Sequence, residues 1–241
     1  MIRILTAEAL KLRRSLVLLV AATPPVMVYL LGVLVVASGE GPDEWLMLTM
    51  SGAAVWAFFL MPMSAIGLTA LMAQLEHGPS TWTHTLGLPV PRWQIFLAKA
   101  VVALLLMALV SLAVAFASWA APMTGMLLSG SVEIQGQFDI ERAWNLYSRI
   151  LMSGLLVIAI QWTLAMRFRS FAVPVSAGIG GTFVAVAATS ADKGIYFPWL
   201  MPVNVLASDP ERAEFVIRTG LIGGVLVFAA AIVWLSRKDW R

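Results

Sequence analysis

The chain has no cysteine, and only 12% of its 241 residues are charged. Without cysteine it cannot form disulfides, thiolate metal sites or cysteine nucleophiles, and its two histidines, His77 and His84, are too few for the usual zinc ligand set. Hydrophobic residues instead make up 60% of the chain and give a mean hydropathy of +0.88. Soluble globular domains are far more polar, so the composition indicates an integral membrane protein.

Six long apolar runs account for this hydrophobicity. A bilayer core of roughly 30 Å requires about 20 apolar residues in a helix. Suitable runs cover approximately residues 15–37, 45–73, 95–121, 143–166, 171–190 and 213–235. Because a backbone in lipid must satisfy its own hydrogen bonds, helices are the expected structure. The sequence therefore predicts an all-α membrane protein with six transmembrane helices in a single transmembrane domain over residues 1–241.

The charged residues between the runs predict the orientation of the chain. Eleven of the 16 Lys and Arg residues lie in the terminal segments or in connections on the same side, which we call the basic side. Ten of the 13 acidic residues lie on the opposite, acidic side. Cytoplasmic segments are enriched in Lys and Arg, so both termini are predicted in the cytoplasm. This bias explains the net charge of +3 better than nucleic-acid binding, which favours one aromatic-interleaved basic patch.

The first 14 residues predict an amphipathic helix ahead of the first run. Ile2, Leu5, Ala9 and Leu12 recur at helical spacing, and basic residues occupy other positions. Such a pattern fits a helix that lies on the inner leaflet. It fits equally a plain topogenic signal that only orients the first span.

The connection over residues 74–94, QLEHGPSTWTHTLGLPVPRWQ, lies on the basic side. Gly78 should end the preceding helix, and Gly87 should end a new helix of about two turns. A helix this short and rich in threonine is unstable alone, so it requires a surface to dock on. Trp82 and Leu86, four residues apart, share one face. This face fits either a pocket on a protein partner or an elbow packed on lipid.

The segment over residues 192–212, on the acidic side, is unusually apolar for a loop. Pro198 and Pro202 interrupt regular helix there. Irregular backbone at membrane depth must be buried in protein or line water. The sequence therefore predicts a re-entrant segment on the acidic side before the sixth helix.

Four residues on the acidic side are candidates for an outer gate: Trp199, Glu211, Glu214 and Arg218. Glu214 and Arg218 have the i, i+4 spacing of an ion pair on a helix. A local surface ion pair is therefore the competing interpretation of these two residues.

The apolar runs contain few charged or polar residues. Lys99, Arg149 and Arg218 are close enough to a run's end for their side chains to reach the membrane interface. The sequence therefore predicts no buried charge relay of the kind that proton-coupled transporters use. Gln161, Thr163 and Asn145 are expected either to line a pathway or to hydrogen-bond between helices.

Three stretches of the sequence resemble the six-span ABC-2 type permeases, in particular the group that includes lantibiotic-immunity and bacitracin-type exporters. They are EALKLRRS before the first run, EHGPSTWTHTLGLPVPRWQIFLAK after the second, and YFPWLMP before the last. In that family the segment after the second span forms a coupling helix that docks on a separate ATPase. The resemblance therefore implies that Glu76, Thr81, Trp82, Leu86 and Arg92 contact an ATPase.

The resemblance also implies partners and an activity. The chain has no GxxxxGK[ST] loop, so ATP and Mg²⁺ are expected on a cytoplasmic P-loop ATPase, and no enzymatic activity, cofactor or metal is expected in this chain. It would form a homodimer, or a heterodimer with a similar permease, among the lipids of the bacterial inner (cytoplasmic) membrane. It would export an amphiphilic or peptide-like substrate, such as an antimicrobial peptide. The alternative is a non-transporting scaffold or sensor subunit that binds an ATPase or another partner.

Overall fold

The computed structural model of the protein describes residues 1–13, 15–78, 82–87, 89–130 and 132–238. Every regular element in these ranges is a helix. The α-helices are α1 (Ile2–Leu12), α2 (Leu16–Ala37), α3 (Trp45–Val55), α4 (Met61–His77), α5 (Trp82–Leu86), α6 (Arg92–Ser129), α7 (Ile140–Ser153), α8 (Leu155–Arg167), α9 (Ala172–Ala188), α10 (Met201–Asn204) and α11 (Pro210–Arg237). A π-helical turn, Trp56–Leu60, joins α3 to α4, and two 3₁₀ turns, Asp192–Tyr196 and Pro198–Leu200, precede α10.

Among the described residues, four helical stretches are long and apolar enough to cross a membrane: α2, the continuous α3 to α4, α6 and α11. A fifth span results if α7 and α8, which meet at 43°, are taken together. Length and composition thus support four or five of the six predicted spans. The predicted run 171–190 corresponds to α9, whose 17 residues rise only about 25 Å. Its role as a span stays a prediction, because a bilayer core is roughly 30 Å thick.

α6 is much longer than the predicted run 95–121. Its 38 residues give a length of about 57 Å, so it extends well beyond a bilayer core. Residues 122–129, which lie beyond the predicted run, continue the helix. The helix ends where Gly130 adopts φ 65° and donates its N–H to the carbonyl of Met126. A left-handed glycine cap, rather than Pro122, therefore terminates α6.

Glycines allow the long helices to approach each other closely. On α11, Gly220 and Gly224 face the junction of α7 and α8, and a Cβ added at Gly220 would collide with the backbone of Ser153. On α6, Gly125 faces α2, and a Cβ added there would lie 2.6 Å from Cβ of Val36. Small residues at helix contacts are typical of membrane bundles, because dispersion contacts between close backbones hold such helices together.

The predicted basic-side segments meet at one end of the bundle. The Gln74 amide donates to the carbonyl of Arg169 at 3.1 Å, and Arg92 donates to the carbonyl of Lys238 at 3.4 Å. At the opposite end, the residues before α3 hydrogen-bond to those before α7. This grouping agrees with two termini on one side of a membrane. Which side is cytoplasmic stays a prediction.

The segment between α9 and α11 is packed against the rest of the protein. Trp199 lies against α9, where a Cβ added at Gly181 would meet its indole ring, and it stacks on Phe197 with ring centroids 5.5 Å apart. Leu200 and Met201 are also buried. The irregular backbone thus has the protein contacts that membrane depth would require. Its entry into the bilayer stays a prediction.

Candidate functional site

A cluster of buried charges lies at the basic end of the bundle. Lys99 of α6 is 2% exposed, and its Nζ lies 2.6 Å from Oε2 of Glu8 in α1 and 2.9 Å from Oε1 of Glu76 in α4. Isolated charges are very costly to bury, so ionised side chains in protein interiors are paired. Lys99 therefore joins three helices through its two glutamate partners.

Lys11 of α1 completes the cluster. Its Nζ lies 2.8 Å from Oε1 of Glu8 and 2.5 Å from Oε1 of Glu76. Burial alone would lower the pKa of Lys11, but the hydrogen bonds and negative charges of Glu76 and Glu8 outweigh it, so the pKa is raised. Lys11 therefore stays charged at neutral pH, and two lysines face two glutamates. We call Glu8, Lys11, Glu76 and Lys99 the charge cluster.

The charge cluster also fixes the short helix α5. The hydroxyl of Thr85 donates to Oε2 of Glu76 at 3.0 Å. The indole ring of Trp82 stacks on Phe96 of α6 with centroids 5.6 Å apart, and Lys99 Nζ lies 5.5 Å from the Trp82 ring centroid. A hydrogen bond, a ring stack and a cation–π contact thus join α5 to both neighbouring helices.

His77, the last residue of α4, makes a second connection to α5. Its Nε2 lies 3.2 Å from the carbonyl oxygen of Ala165 in α8, which can only accept a hydrogen bond. A proton on Nε2 leaves Nδ1 as an acceptor in the neutral ring. Trp82 Nε1 donates to this Nδ1 at 2.8 Å. The imidazole therefore connects α5 to α8 through two hydrogen bonds of defined direction.

The predicted ATPase-contact residues divide into buried and exposed members. Glu76 and Trp82 are 2% and 4% exposed, Leu86 is half-buried, and Arg92 is exposed. Thr81 lies outside the described residues. The expectation that Trp82 presents its ring to a partner is corrected here, because the ring is enclosed by His77, Phe96 and Lys99 of its own chain. Contact between the segment and an ATPase stays a prediction.

The Lys99 side chain is buried within the protein, and its position relative to a membrane interface stays a prediction. Its side chain is enclosed by the charge cluster, since two carboxylates lie within hydrogen-bond distance. The sequence contained a signal for this pairing. Glu8, Glu76 and Asp239 are the three acidic residues on the otherwise basic side, and two of them are the partners of Lys99.

The candidate outer-gate residues do not form one site. Glu214 and Arg218 make the predicted ion pair at 2.8 Å, with both side chains exposed. Glu211 lies near them in an open depression at the start of α11, where its N–H donates to Asp209. Trp199 is buried elsewhere, against α9. A surface ion pair is therefore confirmed, and a gate at these residues stays a prediction.

The three polar residues singled out in the runs have different surroundings, and Thr163 donates to the carbonyl of Ala159 in its own helix. Gln161 of α8 is fully buried, and its amide has no hydrogen-bond partner among the described residues. Asn145 of α7 lines an open cavity at the acidic end. Within the part of the chain that the structure describes, neither the Gln161 nor the Asn145 side chain forms a hydrogen bond between helices, which was one of the two expectations.

Comparison with known proteins identifies the family of the chain. Neither the curated proteins nor the solved structures give a match. A family model described as ABC-2 family transporter protein matches residues 4–185, a range that contains the whole charge cluster. Such permeases are membrane subunits that have no ATPase of their own and act with an ABC ATPase subunit. Because the match covers well over half of the 241 residues, the chain belongs to the ABC-2 family of transporter proteins.

Proposed function

We propose that this chain is the permease subunit of an ABC exporter in a bacterial cytoplasmic membrane. A separate P-loop ATPase binds ATP and Mg²⁺, docks on the basic side and drives the movement of two permease chains. The single observation that carries this proposal is the charge cluster, because it ties α5 to α1, α4 and α6 at the end where such an ATPase would dock. Membership of the ABC-2 family supports the requirement for an ATPase partner.

A force applied to α5 passes into the long helices. A helix of five residues is too short to be stable alone, so its position depends on its contacts. Those contacts are Thr85 to Glu76 in α4, and Trp82 to Phe96 in α6. From Phe96, α6 continues for about 50 Å toward the acidic side. A small displacement at the basic end is thereby carried across the bundle by an unbroken helix.

The continuous helix from Trp45 to His77 provides a place for bending. A π-helical turn lies in its middle, at Trp56–Leu60. Such turns interrupt the regular i to i−4 ladder, and kinks in long helices are common there. Movement of the Glu76 end therefore changes the direction of α4 relative to α3. In this mechanism the residues that receive the movement are buried, and they do not touch the ATPase.

The surface beside α5 supplies the proposed contact. Pro89, Pro91, Arg92 and Trp93 are all exposed and follow α5 directly. Arg92 offers a planar, permanently charged group for carboxylates of a partner. Among the residues first expected to touch the ATPase, Arg92 thus keeps that role. Glu76 and Trp82 instead hold the contact surface in place.

Affinity purification tests the partnership. We expect a tagged chain, extracted from its native membrane in mild detergent, to retain a P-loop ATPase in near-equal amount. Repeated loss of that subunit from an otherwise intact protein would contradict the proposal. In the reconstituted complex, substrate should stimulate ATP hydrolysis, whereas a scaffold or sensor subunit would leave hydrolysis independent of substrate.

Coupling is tested with two tryptophan variants. Trp82→Ala removes the stack on Phe96 and the hydrogen bond to His77, so the ATPase should still bind and hydrolyse ATP but lose its stimulation by substrate. Trp144→Ala is the matched control, because Trp144 is an exposed tryptophan at the acidic end. If substrate stimulates ATP hydrolysis equally in both variants, α5 has no part in the mechanism.

The proposed cargo is amphiphilic or peptide-like, including antimicrobial peptides. Its support is the resemblance of the EHGPSTWTHTLGLPVPRWQIFLAK segment to lantibiotic-immunity and bacitracin-type exporters. Cells that lack the chain should become more sensitive to such peptides and recover with the wild-type chain. If sensitivity is unchanged across a panel of peptides, such peptides are not the cargo. The proposed partnership with an ATPase would not be affected by that result.

A further inference from the structure

An open cavity of about 520 Å³ lies at the acidic end, between α3, α7 and the start of α11. One wall is polar, because Arg142, Asn145 and Arg149 follow one another along one face of α7. The surface facing α7 is mainly apolar and includes Met50, Val205 and Ala213, while Leu146 adds an apolar side chain from α7 itself. The cavity thus offers charge on one side and hydrocarbon contacts on the other.

Arg149 is the unusual member of this wall. No carboxylate lies within 4.0 Å of its guanidinium among the described residues, and no hydrogen bond to its side chain forms there. Its neighbour Arg142, by contrast, lies beside Asp139, with Nε 4.0 Å from the carboxylate. Arg149 therefore faces the cavity as a charge that nothing in the described part of the chain compensates.

The carboxylates at the rim form no ion pair with Arg149 among the described residues. Glu141 precedes Arg149 in α7 by eight residues, which is about 12 Å of helical rise. Asp139 is farther along the chain and caps the helix by accepting from the N–H of Arg142 at 2.9 Å.

Arg149 belongs to a predicted span, and its side chain is half-buried. It lies six residues inside the predicted span 143–166, or about 9 Å along the helix. The next residue, Ile150, is fully buried in the protein. Ionisable residues within membrane spans are expensive, and they usually face a cavity and mark a pathway or ligand site. A ligand that supplies a negative charge would offset this cost.

We propose that the acidic-end cavity binds an anionic amphiphile, with Arg149 holding its phosphate or carboxylate group. A guanidinium is always charged, and its planar fork matches both of these groups through two parallel hydrogen bonds. Asn145, one turn away on the same face, supplies amide donors for the same group. Met50, Leu146 and Val205 contact the apolar part. That this ligand is the exported substrate rests on the proposed function, whereas the binding itself does not.

Equilibrium binding to the purified full chain, in a neutral maltoside detergent and without ATP, tests the proposal. The probe is a fluorescent alkyl phosphate, compared with the alcohol of the same chain length and with inorganic phosphate. We expect the alkyl phosphate to bind best. Arg149→Gln should weaken its binding by about tenfold to a hundredfold, the usual effect of losing charge-assisted hydrogen bonds. Arg149→Lys should recover part of the affinity, because a point charge remains without the fork.

Arg218→Gln is the matched control, since it removes an exposed arginine of the same end that already pairs with Glu214. It should leave the affinity unchanged. Thermal unfolding without ligand provides a second measurement, because removing an uncompensated charge should leave the Tm of Arg149→Gln equal or higher. A lower Tm would show that Arg149 has a partner within the protein and would overturn the proposal.

Binding of the alcohol as tightly as the alkyl phosphate, or unchanged binding to Arg149→Gln, would also overturn it. If inorganic phosphate binds as tightly as the alkyl phosphate, the ligand is free phosphate, and the proposal of an amphiphilic ligand is overturned. Because no step of this assay involves an ATPase, its failure is distinguishable from failure of the proposed function. Loss of the ATPase during purification would leave the binding result unaffected.

Discussion

Replacing Lys99 by methionine should strongly destabilise the protein. Methionine has similar length and fits an apolar site, so the main change is the loss of one buried positive charge. Lys11 then remains as the only cation for Glu8 and Glu76, so the cluster is left with one negative charge in excess. Breaking a buried ion pair by removing one partner costs about 3–5 kcal/mol. For a chain of this size that corresponds to a fall in Tm of about 6–20 °C.

A second substitution should recover much of this loss. In Lys99→Met with Glu8→Gln, Lys11 and Glu76 still form a pair at 2.5 Å and no carboxylate is left without a cation. The double variant should therefore be more stable than Lys99→Met alone, although Glu8→Gln alone leaves a buried lysine short of one partner. Contacting residues in one network commonly show coupling energies of about 0.5–3 kcal/mol. The coupling energy between Glu8 and Lys99 should stabilise the wild-type protein. The double variant should therefore lose less stability than the two single variants lose in sum.

Thermal unfolding in detergent, followed by tryptophan fluorescence, measures these differences across wild type, both single variants and the double variant. Lys193→Met is the control, because Lys193 is exposed and outside the charge cluster, and exposed substitutions usually change stability by less than about 0.5 kcal/mol. A Tm for Lys99→Met within the error of that control would refute the buried pairing. Strict additivity in the double variant would refute the direct interaction of Lys99 with Glu8.

Three further outcomes are expected. Trp82→Phe keeps an aromatic ring on α5 but leaves Nδ1 of His77 without its donor, so stability should fall by about 1–3 kcal/mol and substrate stimulation of ATP hydrolysis should weaken; unchanged values for both would exclude a role for this hydrogen bond. Gly220→Ala should lower Tm, since overpacking costs about 1–3 kcal/mol, whereas Gly180→Ala, whose Cβ would meet nothing within 4 Å, should not; equal Tm values would show that the α11 contact adjusts freely. Arg92→Ala should weaken binding of the ATPase in pull-down assays with Tm unchanged, and full retention of the ATPase would exclude Arg92 as a contact.

Hydropathy predicted much of the fold because lipid imposes a simple rule on the backbone. Long apolar runs must be helical, and the structure places helices in all six of them. Segments that charge placement assigned to one side also meet in the structure, since Gln74 bonds to Arg169 after α8 and Arg92 bonds to Lys238 after α11. Helix ends were predicted less well, because hydropathy does not register a glycine cap such as Gly130, and α6 therefore continues past the predicted limit.

The candidate site was predicted only in part, because its contacts join residues far apart in the sequence. Trp82 was expected to meet a partner, but its ring turns toward Phe96, and a pattern of spacing within α5 cannot show which face meets the protein. Lys99 was expected to reach the interface because its position in the run allows it. Its pairing with Glu8 joins residues 91 positions apart, and no local periodicity records such a contact.

The stability of the protein does not by itself account for four charges at this site. Buried ion pairs replaced by well-packed apolar residues often leave stability unchanged or higher. The arrangement of the charge cluster differs from a simple pair, because each lysine contacts both glutamates. Opening any single contact therefore leaves every charge with a partner, so α1, α4 and α6 can shift relative to one another without burying an unpaired charge. Close-packed apolar contacts lose dispersion energy as soon as they separate. A shared set of charges thus suits a junction that must hold α5 firmly and still move.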